Sequence, residues 1–149
     1  MSYDLMVFDP KAAPPNRSGF MDWYRQQTKW GGGHRYDNPD ISTPELRAWF
    51  LDIITRYPMM NGPYASEEDS PKVTDYSVGR YVIYAAFAWS EAKQAHETMF
   101  SLAQKHRVGF FDVSTGNGGV WIPTADGQYS CIHGQGAQKH DKRWWEFWK

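Results

Sequence analysis

Leu46, Trp49, Phe50, Ile53, Ile54 and Tyr57 recur at i, i+3, i+4, i+7, i+8 and i+11, the spacing of one broad apolar face on a helix. Thr43-Pro44-Glu45 marks its start. Thr stands at the cap, and proline fills the first helical position, where its missing N–H costs nothing. Pro58 stops the pattern. A helix with so wide an apolar face has to be laid against another layer, and the rest of the chain must provide that layer.

Strand patterns provide it. YDLMVF (3–8) reads as a strand with Leu5 and Val7 on one face, stopped by Pro10. Residues 73–78 and 81–88 read as two strands around Gly79-Arg80, the second apolar enough for a central position. Residues 108–114 and 120–124 flank TGNGG, a hairpin signal. Ser18 is the expected cap of a helix near 19–30 carrying Phe20, Trp23, Tyr24, Gln27 and Trp30, ended by Gly31-Gly32-Gly33. Ser90 is the expected cap of another, with Ala92, Ala95, His96, Met99, Leu102, Ala103 and His106 as its stripe.

The order is β-α-α-β-β-α-β-β and then a tail. Without one helix and the last strand it is βαββαβ, the split βαβ arrangement. The predicted fold is therefore α+β: an antiparallel sheet with helices packed on one face, a ferredoxin-like variant with an extra helix. Residues 1–124 are expected to form one domain and 125–149 a C-terminal extension. In that extension KRWWEFWK (142–149) would form a short helix with Trp144, Phe147 and Trp148 on one face, docked on the domain.

Composition narrows the function. With 16 basic and 17 acidic residues the net charge is −1, which argues against a nucleic-acid binder. The N-terminus lacks a signal-peptide pattern, no apolar run spans a membrane, and the single Cys131 leaves no intramolecular disulfide. A cytoplasmic protein is expected.

Signals for chemistry are weak. Cys131, His133 and His140 are too few and too irregularly spaced for a zinc site. Gly116-Asn117-Gly118-Gly119 lacks the Lys-Ser/Thr of a phosphate loop and reads as a turn, and there is no G-x-S-x-G. His96, on an apolar stripe, reads as a core residue. Asp75, Arg80 and Asp112 are the polar residues that could meet on one sheet face. An alternative reading, a small enzyme or small-molecule-binding domain, would use a pocket lined by Tyr76, Tyr81, Tyr84 and Trp89. The expectation is no enzyme, no metal and no cofactor, but a protein-binding role. Two polar loops are the candidate surface: His34, Arg35, Tyr36 and Asp37 in one, Tyr64, Glu67, Glu68 and Asp69 in the other. Acidic and aromatic side chains together complement a basic cleft.

At YDLMVFDP, FMDWYRQQTKW, TPELRAWFLDII, MNGPYA, VTDYSVGRYVIYAAFAWSEA and HRVGFFDVS the chain resembles a family of small bacterial proteins, some encoded beside polymorphic toxins. The resemblance covers roughly residues 3–123 and leaves the tail outside. It implies an immunity protein that neutralises a cognate toxin domain by stoichiometric occlusion; a monomer or weak homodimer is expected. It carries no catalytic residues with it.

Overall fold

A computed structural model describes residues 2–14, 16–29, 36–60, 62, 64–67, 70–114, 118–125 and 128–133. The elements in chain order are β1 (Tyr3–Phe8), α1 (Arg17–Gln27), a 3-10 turn (Pro39–Ile41), α2 (Pro44–Ile53), β2 (Asp75–Val78), β3 (Val82–Phe87), a second 3-10 turn (Trp89–Glu91), α3 (Ala92–His106), β4 (Gly109–Phe111), β5 (Val120–Pro123) and β6 (Tyr129–His133). All six strands form one antiparallel sheet in the order β2-β3-β1-β4-β5-β6. The expected α+β class is what the chain adopts. The four strands β2-β3-β1-β4, with α2 and α3 as crossovers, have the order of the split βαβ arrangement.

The sheet is covered on both faces, and β1 explains why. Leu5 and Val7 point into one cluster with Leu46, Trp49, Phe50 and Ile53 of α2 and Ala95, Met99 and Ala103 of α3. Met6 and Phe8 point the opposite way, into a second cluster with Phe20 of α1, Val82, Phe111 and Val120. A strand apolar on both sides needs a layer on each. The expectation of helices on one face is corrected accordingly: α2 and α3 share a face, and α1 is the added helix on the other. Phe20 anchors α1 by edge contacts to Phe8 and Phe111, both at 5.2 Å. Each such ring contributes roughly 1.5–3 kcal/mol through burial. Gly109, paired with Phe8, leaves room for this contact: a Cβ there would lie 2.3 Å from the Phe8 ring.

Helix ends depart from the sequence reading by small amounts. Asn16, not Ser18, caps α1, accepting from the Gly19 N–H at 2.6 Å. Thr43 occupies the N-cap position of α2 as expected, without a side-chain capping hydrogen bond, and the helix closes at Ile53 rather than reaching Tyr57. Tyr57 stays buried because the Ile53 carbonyl accepts from its N–H at 2.8 Å, and its own carbonyl accepts from the Tyr76 hydroxyl. A 3-10 turn precedes α3, whose cap is Glu91 instead of Ser90. Arg107 ends α3 in the left-handed region, φ 59°. Its N–H bonds Gln104 O, and Val108 N–H bonds Ala103 O, the paired closure of a Schellman motif.

Residues 125–149 are expected as an extension outside the domain. Instead β6 pairs with β5, and the Tyr129 hydroxyl donates to the Val108 carbonyl. The domain boundary expected at 124 therefore falls inside a strand pair. The aromatic tail, 142–149, lies outside the described residues.

Candidate docking surface

β2 is an outer strand of the sheet, and two loops are built against its open edge. The Val78 N–H donates to Tyr36 O at 2.8 Å. Further along, Thr74 N–H donates to Pro58 O at 2.8 Å and Met60 N–H to Thr74 O at 3.0 Å. An exposed edge invites unwanted strand pairing, and these bonds occupy much of it. They also bring together loops far apart in sequence.

The loops touch at Gly62. Its φ is +84°, and a Cβ there would meet Asp37 Cβ at 2.6 Å and Asp37 O at 2.8 Å. Ser42 Oγ donates to Gly79 O at 2.6 Å, pinning the first loop to the β2–β3 turn. The second closes on itself through Ser66 N–H to Met59 O, 2.9 Å. Tyr64 rests its ring edge-on to Phe50, centroids 6.3 Å apart. The assembly buries Met59 completely but leaves Met60 52% and Tyr64 41% exposed. Asp40 and Glu67 are exposed, whereas Tyr36 and Asp37 are half-buried.

Of the eight residues expected at a partner surface, Tyr36, Asp37, Tyr64 and Glu67 thus belong to adjoining loops at one sheet edge. His34, Arg35, Glu68 and Asp69 lie outside the described residues. Met60 was missed. Its sequence signal was the pair Met59-Met60 in a polar loop, one side chain buried and its neighbour necessarily turned outwards.

The polar trio does not assemble. Asp75 is on β2, and Asp112 follows β4, with β3 and β1 between them; three strand spacings amount to about 14 Å. Asp75 is exposed, and Arg80 lies over the Tyr81 ring at 5.7 Å. Asp112 is buried instead beneath α3, its Oδ2 3.9 Å from His96 Nε2. Burial pushes the His96 imidazolium down to about 3, so the ring is neutral at neutral pH. Burial, then the Asp112 charge, raises the Tyr3 hydroxyl well above the usual phenol range. Tyr3, His96 and Asp112 are sealed from solvent at 0%, 2% and 1% exposure. His96 keeps its expected place in the core, with Phe110 edge-on at 5.2 Å.

The aromatic pocket does not assemble either. Tyr76 is buried on the face of α2 and α3, bonded to Tyr57 O at 2.7 Å. Tyr84 faces α1 and donates to Asp4, and Trp89 lies over Tyr3 at 5.2 Å, 44% exposed. Period-2 geometry sends Tyr76 and Tyr84 to opposite faces.

The fold and surface define an α+β domain with an antiparallel sheet whose outer strand β2 carries two joined loops. Comparison of the chain with protein-family models, curated proteins and solved structures found no match. Among the described residues, no helix is long and apolar enough to cross a membrane, and no group of three or more His, Cys, Asp or Glu side chains could hold a metal ion.

Proposed function

We propose that this chain is a protein-binding domain of the immunity type, which neutralises a cognate bacterial toxin by occupying it stoichiometrically through the joined loops at the β2 edge. The observation that carries this reading is the exposure of Met60 and Tyr64 from a loop whose backbone is held by bonds to β2 and by the Gly62–Asp37 contact. Exposed aromatic and methionine side chains on a prepared scaffold are the kind of anchor that dominates binding energy, because little ordering cost remains to be met on association. The resemblance of residues 3–123 to a family of small bacterial proteins, some of them encoded beside polymorphic toxins, supports a toxin as the partner.

Co-expression with the protein encoded immediately upstream tests the reading. The wild-type chain is expected to protect growth, and a folded Met60→Ser, Tyr64→Ala variant to lose protection. Full protection by that variant would contradict occlusion through these loops.

A further inference from the structure

Over residues 36–43 and 57–67 the two loops carry Asp37, Asp40 and Glu67 and no lysine or arginine, while Arg35, next to the first window, lies outside the described residues. Among bordering cations, Arg80 is drawn onto the Tyr81 ring, and Lys72 lies over Tyr57 while bonding Glu91 at 3.0 Å. Arg56, just before the second loop, is exposed. The exposed apolar side chains Met60 and Tyr64 therefore share their loops with carboxylates, of which Asp40 and Glu67 are open to solvent. A nucleic acid or an anionic lipid surface would meet like charge here. A protein surface with lysines and arginines around an apolar hollow would meet both opposite charge and a place for the two side chains.

We propose that the β2-edge surface takes a basic protein partner, with Met60 and Tyr64 entering the apolar hollow and Asp40 and Glu67 facing its cations. This rests on the reading of the surface as a docking site. It specifies the chemistry of the partner, since carboxylates at a rim chiefly set association rate, salt dependence and choice of partner.

The test is amide NMR of the full chain titrated with a short arginine–leucine peptide and with its glutamate–leucine counterpart. The arginine peptide is expected to shift the resonances of Asp40, Met60, Tyr64 and Glu67. Its affinity should fall about tenfold from low to physiological salt, and the Asp40→Asn, Glu67→Gln double variant should bind it several-fold more weakly. Equal or tighter binding of the glutamate peptide at the same residues overturns the charge inference while leaving the docking reading in place. Shifts confined to other parts of the chain with both peptides overturn both.

Discussion

Asp37 and Gly62 approach so closely that a methyl group on Gly62 would meet Asp37 Cβ at 2.6 Å. The contact joins two loops separated by α2, and it requires glycine twice over, for the space and for φ +84°. Gly62→Ala is expected to cost about 1–3 kcal/mol, from left-handed strain and displacement of Asp37. Urea unfolding measures that loss. Amide shifts should change at Tyr36, Asp37 and Val78 as well as around residue 62, since the two loops meet there.

Gly109 makes the corresponding demand inside the sheet. A Cβ would stand 2.3 Å from the Phe8 ring, which is itself held against Phe20. Gly109→Ala is expected to destabilise by about 1–3 kcal/mol through overpacking. Adding Phe8→Leu should recover part of the loss if the ring is the obstacle, and thermal unfolding of the three proteins distinguishes this from a loss of backbone freedom.

Acid stability is expected to depend on His96. Its folded value, about 3, lies below the ordinary 6.5. The unfolded chain therefore takes up a proton below pH 6.5 that the folded chain does not take up until about pH 3. Stability conferred by the neutral ring is complete above pH 6.5 and falls as the pH drops through that window, by up to about 1.4 kcal/mol per pH unit. Asp112 Oδ2 lies 3.9 Å away, beyond hydrogen-bond reach, and burial of the ring sets the depression. His96→Gln should be less stable at pH 7 yet show a flatter decline between pH 6 and 4 in urea titrations.

Asp52 links α2 to α3 through His106 and Lys105, each at 2.9 Å. Hydrogen bonds from His106 and then Lys105 hold its carboxyl below the ordinary range. A depressed carboxyl stabilises above its unfolded value and loses that contribution as pH falls through the folded one. The site is partly exposed, so Asp52→Asn should cost less than about 1 kcal/mol at pH 7. The difference should shrink as the pH falls from neutral through the ordinary carboxylate range, as chemical unfolding across that range would record.

Much of this architecture was legible because strong local patterns agreed with the packing. β1 matches its reading from Tyr3 to Phe8, and the Thr43-Pro44 start of α2 is where the chain places it. The face chosen by α1 was not legible from its own periodicity, which says which side chains turn inward but not toward which layer. The clue was in β1, where Met6 and Phe8 are as apolar as Leu5 and Val7. β6 escaped because YSCIH has neither a clean alternation nor a continuous apolar run. The docking loops were visible as polar, aromatic segments. Their meeting depends on hydrogen bonds to the β2 edge and on one glycine contact, which no spacing in the sequence announces. The separation of Asp75 from Asp112 likewise follows from strand order.

The central claim is that the joined loops form the binding surface. Calorimetric titration of the full chain with the protein encoded upstream tests it most directly. One-to-one binding is expected, weakened at least about 100-fold by Met60→Ser with Tyr64→Ala, while the melting temperature of the free variant stays close to that of the wild type. Unchanged affinity in that folded variant would contradict the account.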